Sequence, residues 1–167
     1  MLLALLCLTT ENSSVSMSQL ISGKVELQVS ANALWKCLSK DLANLLPKLV
    51  PKLISGVEIL DGDGGLGSVL IMRFQSDAGD SYQKEKIVEM DDVNLTMANE
   101  VLEGGYKQMG FSYFKTRFQL KEISASLTSA ECTVEYETCG PQMRSPEEAL
   151  QASFFIVKTM EAYLLSQ

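Results

Sequence analysis

The chain has 167 residues, 46% of them hydrophobic, which is enough for one ordinary domain with its own core and no need of disulfide staples. With 14 basic against 21 acidic side chains the net charge is −7, and without any basic run this excludes a surface that gathers a nucleic-acid backbone. Histidine is absent, which excludes nucleophile activation by imidazole and metal centres built on it, so any proton transfer falls to carboxylates, lysines or tyrosines.

Residues 1–16, MLLALLCLTTENSSVS, read as an N-terminal extension to a single domain over 17–167. The apolar run Met1 to Leu8 is too short to cross a bilayer, and it lacks both a preceding basic residue and a small-x-small cleavage site. A weak secretory signal and a disordered extension upstream of Met17 are therefore both open. Asn12 and Asn94 stand in glycosylation patterns that matter only in a secreted chain. Cys7, Cys37, Cys132 and Cys139 match no zinc spacing, and scattered thiols point to a reducing compartment, the cytoplasm and by extension the nucleus.

Alternation of Val25, Leu27 and Val29 with Lys24, Glu26 and Gln28 predicts a first strand. Ser30 then caps a helix carrying Leu34, Trp35 and Leu38, and a second short helix runs from Leu42 to Leu49. Val57 to Leu60, the turn Asp61 to Gly67 and Ser68 to Phe74 read as strand, glycine-rich loop, strand. The loop GDGGLG lacks the Lys-Ser/Thr of a phosphate-binding loop and precedes a strand, so its glycines serve a tight turn with positive φ. Further strands are expected at Tyr82 to Met90, Leu95 to Leu102, Gly110 to Leu120 and Leu127 to Tyr136. The chain ends in a long helix with Ser145 as cap, Pro146 in its first position, Glu148 completing a capping box, and a stripe of Leu150, Phe154, Val157, Met160 and Leu164.

The implied fold class is α+β, a curved antiparallel sheet of seven strands wrapped around the C-terminal helix, with two short helices. A strongly curved sheet does not close tightly on a rod about 10 Å wide, which predicts an internal cavity, a well-filled core being the alternative. Placing the charged partners outward puts Leu70, Met72, Phe74, Gln83, Glu85, Ile87, Leu95, Met97, Asn99, Val101, Phe114, Thr116 and Phe118 on the inner face. Lys84 and Arg117 then face water.

With this order of elements and GDGGLG at Gly62 to Gly67, residues 17–167 resemble the plant pathogenesis-related class 10 family, of which a birch pollen allergen is typical. The runs ALWKCLSKD (Ala33 to Asp41), SYQKEK (Ser81 to Lys86), EGGY (Glu103 to Tyr106) and GFSYFKTRFQL (Gly110 to Leu120) are most similar to its cytokinin-specific and phytohormone-binding members, and next to the norcoclaurine synthases. The resemblance implies a helix-grip, START-like fold that binds a small apolar hormone or secondary metabolite without cofactor or metal. In the hormone binders the positions of Gln83 and Glu85 bind ligand, as do a threonine and a tyrosine that fall here on Ser153 and Ile156. Together with the inner-face reading this makes Gln83, Glu85, Ser153, Met97, Phe114, Thr116, Phe154 and Val157 the candidate ligand-binding residues.

The enzyme alternative, a norcoclaurine synthase-like condensation of dopamine with an aldehyde, keeps Glu85 as its one catalytic group. The family's tyrosine, lysine and aspartate positions read Gln83, Met97 and Thr116. A third reading, an abscisic acid receptor that inhibits a protein phosphatase, finds no gate sequence in EGGYKQMG or DGDGGLG. Expected partners are thus a small molecule, neither nucleic acid nor membrane, and a monomer or weak dimer.

Overall fold

The computed structural model describes residues 17–77 and 79–167; the expectations for residues 1–16 lie outside them. Eleven elements follow in order: β1 (Gln19–Leu27), α1 (Ala31–Ser39), α2 (Leu42–Leu49), β2 (Ile54–Asp61), β3 (Val69–Phe74), β4 (Ser81–Asp91), β5 (Thr96–Gly104), α3 (Gly105–Gln108), β6 (Phe111–Ser124), β7 (Leu127–Thr138) and α4 (Pro146–Leu165). The strands form one antiparallel sheet in the order β1-β7-β6-β5-β4-β3-β2, a meander whose first strand has been carried across to pair with the last. The sheet wraps α4, so the fold is a helix grip.

The helices begin where their caps stand. The Ser30 hydroxyl accepts from the Ala33 amide and that of Ser145 from the Glu148 amide, each at 3.2 Å. Pro146 gives up only an N–H that has no partner in a first turn, and Glu147 and Glu148 complement the positive end of the helix. The Glu148 carboxylate lies 3.8 Å from Arg144. α1 packs Leu34, Trp35 and Leu38 inward, and Trp35 is pinned to the β4–β5 turn by a 2.8 Å bond from its indole N–H to Asp92.

Register follows from the alternation of charge. Lys84 pairs with Glu103 at 2.9 Å, and Arg117 grips Glu89 with Nε at 2.8 Å and Nη2 at 3.1 Å, all on the outer face. Ile87, Met97, Val101 and Phe114 are consequently buried on the inner face. Two irregularities interrupt β4 and β5, between Lys84 and Glu85 and between Ile87 and Glu89. Such bulges add twist and bend, which curls the sheet's middle around the helix.

Three differences from expectation stand out. β1 starts at Gln19 rather than Lys24, because backbone pairing with β7 from Tyr136 onward carries an edge whose outer residues are exposed and show no apolar alternation. β6 runs on to Ser124 through an exposed hairpin end. The EGGYKQMG segment, read as loop, holds the single turn α3, too short to register as a helical period.

The core divides into two clusters. One gathers Leu27, Leu34, Leu38, Leu46, Met97, Leu120, Val157 and Met160 beneath α1 and α2. The other gathers Val101, Phe111, Phe114, Val134, Tyr136, Ala149 and Leu150 toward α3 and the start of α4.

Candidate functional site

Between the clusters lies a cavity of about 170 Å³, lined by members of both. Its walls are Leu38, Leu42 and Leu46 from the short helices, Met72 and Phe74 from β3, Met97 from β5, Phe118 from β6 and Ile156 from α4. Leu53 and Phe155 also line it, and each is 51% exposed, so they mark an apolar rim where the cavity meets the surface.

The helix explains why space remains. Its stripe of Leu150, Val157 and Met160 is buried, while the neighbouring face offers Ala149, Ala152, Ser153 and Ile156 to the cavity at spacings of three and four residues. Small side chains on that face leave a gap that the sheet cannot close.

One corner is polar. Glu85 on β4 receives a hydrogen bond from Gln83 Nε2 at 2.5 Å on Oε1 and from Asn99 Nδ2 on β5 at 2.9 Å on Oε2. Gln83 is in turn fixed by the Tyr106 backbone N–H, which donates to its Oε1 at 3.1 Å. Desolvation pushes the Glu85 carboxyl above the usual carboxylate range, and the two amide donors pull only partly against it. Among the described residues the only other titratable side chain in the lining is Tyr106, a phenol pushed up to about 12 chiefly by burial. A carboxylate without a counter-cation, at the end of an apolar chamber, is equipped to accept a hydrogen bond or a proton from whatever enters.

Gln83 has room only because of a glycine. A Cβ on Gly105, whose φ is +45°, would stand 1.8 Å from Gln83 Oε1. The second glycine of EGGY is thus the imprint of a side chain on the neighbouring strand, while a Cβ on the first, Gly104, would stand 2.3 Å from the Tyr82 carbonyl oxygen. The turn brings Tyr106 over Phe114, rings stacked with centroids 3.9 Å apart and planes 6° from parallel.

Of the residues singled out in the sequence, Gln83, Glu85, Met97, Thr116 and Ser153 all line the cavity. Ser153 spends its hydroxyl hydrogen on the Ala149 carbonyl at 3.0 Å. Phe114, Phe154 and Val157 lie outside the lining. Phe114 is fully buried beneath Tyr106, Val157 is fully buried in the first cluster, and Phe154 packs its ring over Gly23 of β1, 2.9 Å from where a Cβ would stand. All three belong to core packing on either side of the cavity, Phe154 and Val157 because the apolar stripe of α4 faces the sheet and not the space, and Phe114 because the Tyr106 ring covers it. Tyr106 and Asn99 line the cavity and were not among the candidates. Asn99 carried a signal, an amide at an inner-face position between Met97 and Val101; Tyr106 carried none, since α3 read as loop.

A seven-stranded sheet gripping a helix around an apolar chamber with one polar corner defines a class of small-molecule-cavity proteins. The chain belongs to the pathogenesis-related protein Bet v 1 family, whose pattern matches residues 16–167. It is 33% identical over 136 residues to norbelladine synthase of Narcissus pseudonarcissus, covering 80% of each chain. It is 31% identical over 142 residues to the major strawberry allergen Fra a 1-E of Fragaria ananassa, covering 81% of this chain and 87% of that one. Among solved structures it is similar to the crystal structure of Ara h 8.0201, with a TM-score of 0.79 and 26% identity over 90% of this chain and all of the other.

Proposed function

We propose that the chain binds a small, largely apolar plant molecule, a hormone or a secondary metabolite, in the cavity between sheet and α4. The carrying observation is the desolvated Glu85 carboxyl, held by two amides at the polar corner of a mainly apolar lining. The apolar body of a ligand gains roughly 25 cal/mol for each Å² taken out of water against Met72, Phe74, Met97, Phe118 and Ile156. Its polar end donates to Glu85, which fixes orientation. A hydrogen bond to a charged group contributes about 1.5–3 kcal/mol. The test is displacement of a fluorescent apolar probe by cytokinins, gibberellins, abscisic acid and alkaloid precursors, with parent and Glu85→Gln protein side by side. Failure of every panel member to displace the probe would sink the reading.

A second reading has one observation behind it. A carboxyl held above its usual range in a cavity suits general acid–base work, and a relative 33% identical is named a synthase. Against condensation chemistry stands the lining itself, where Met97 and Thr116 occupy the positions that a norcoclaurine synthase gives to a lysine and an aspartate, leaving no ammonium to polarise a carbonyl. Incubation with dopamine and an aldehyde discriminates: turnover above buffer, removed by Glu85→Gln, would make the protein an enzyme.

A further inference from the structure

Asn99 projects from β5 on the inner face, opposite Ile87 of β4 and Thr116 of β6. Its Nδ2 is spent on Glu85 Oε2 at 2.9 Å. Its Oδ1 is buried and, among the described residues, has no donor. The carboxylate dictates this orientation: with the amide turned over, two acceptor oxygens would face each other across the same gap. An orphaned acceptor costs free energy that a ligand donor can return. The terminal torsion of asparagine is broad, so the amide can turn toward an incoming donor at small torsional cost.

We propose, on the footing that the cavity binds a small molecule, that Asn99 sets its specificity: with Glu85 it forms two adjacent acceptors that select a ligand head carrying two neighbouring hydrogen-bond donors and turn away a carboxylate. The surroundings point the same way. One hydrogen of each of the Gln83 and Asn99 amides goes to Glu85, and the Ser153 hydrogen goes to the helix backbone. Among the described residues the lining contains no lysine or arginine, so an anionic head meets the Glu85 carboxylate and no counter-charge. Each Glu85 oxygen holds one amide donor and keeps a lone pair free for one donor of the ligand; the other donor goes to Asn99 Oδ1.

The test uses three probes that share one apolar body: 4-propylphenol with a single donor, 4-propylcatechol with two adjacent donors, and 4-propylbenzoate with a carboxylate. Each is titrated calorimetrically, under reducing conditions, into the parent, Asn99→Leu and Asn99→Asp proteins. The parent is expected to bind the catechol about three- to tenfold tighter than the phenol, and the benzoate more weakly than either. Asn99→Leu abolishes the catechol preference, whatever it does to the phenol, and Asn99→Asp, whose carboxyl shares one proton with Glu85 in place of the amide donor, keeps it, because its second oxygen replaces Oδ1. Equal affinity of the parent for catechol and phenol, or a preference that survives in Asn99→Leu, overturns the role of Asn99 while leaving the binding function standing. If Asn99→Leu does not fold, the parent's ratio and Asn99→Asp decide. Binding of none of the three by the parent contradicts both this proposal and the reading of the cavity beneath it.

Discussion

The proposed site turns on Glu85, and the desolvation that would ready its carboxyl for a ligand burdens the fold. A carboxyl whose folded-state value is raised binds its proton more tightly in the native than in the unfolded chain. Its contribution to stability is therefore fully present below the unfolded value, near 4.3 for a glutamate, and is lost as the pH climbs through the raised native value. Glu85→Gln removes that dependence, so its stability relative to the parent should improve between acid and neutral pH. Denaturant titrations of both proteins at a series of pH values check this; a difference that stays flat, or moves toward the parent, contradicts it. Gly105 makes the complementary point. An alanine there would meet Gln83 Oε1 at 1.8 Å in a backbone conformation that L-residues avoid. Gly105→Ala should cost about 1–3 kcal/mol of stability and weaken ligand binding by displacing Gln83, both measurable on one purified variant. No reading of EGGY alone could assign that cause, since the pressure on the glycine comes from β4, more than 20 residues earlier in the chain.

Among the elements, α4 shows where sequence periodicity informs and where it misleads. Its cap, its proline and its apolar stripe are all legible, and they place the helix end to end. The stripe marks the face that packs on the sheet, which is why Phe154 and Val157 belong to the core, while the cavity is faced by the less conspicuous Ala149, Ala152, Ser153 and Ile156. A binding wall is made by what is small or absent, and hydrophobic patterning records only what is packed. The strands were easier, because opposite charges such as Lys84 with Glu103 and Arg117 with Glu89 fix which face is wet, and Gln83 and Glu85 follow as the exceptions on the dry side. Two predictions belong to this helix. Ser145→Ala removes the hydroxyl that accepts from Glu148 and should cost about 1 kcal/mol, read as a lower denaturation midpoint with an unchanged denaturant slope. Ala152→Leu builds into the cavity, and should weaken bulky ligands more than small ones while leaving stability within about 1 kcal/mol of the parent; equal weakening of all ligands would mean that this face of α4 is not a binding wall.

For the molecule as a whole, the cavity is a consequence of architecture. The two clusters at its ends, joined by α4, hold sheet and helix apart, and bulges in β4 and β5 bend the sheet around the space. The exposed Leu53 and Phe155 at the rim form the apolar surface that the proposed ligand would meet first. A ligand that binds only the native state stabilises it by mass action, about 2.7 kcal/mol at a hundredfold excess over Kd, so thermal shift in the parent offers a screen for ligand identity. The most direct measurement is a calorimetric titration of the tightest-binding panel molecule into parent and Glu85→Gln protein. One site per chain is expected, with affinity reduced roughly ten- to hundredfold by loss of the charge-assisted hydrogen bond and the fold unchanged by circular dichroism. Equal affinity in the two proteins would contradict the account, because the polar corner would then play no part in holding the ligand.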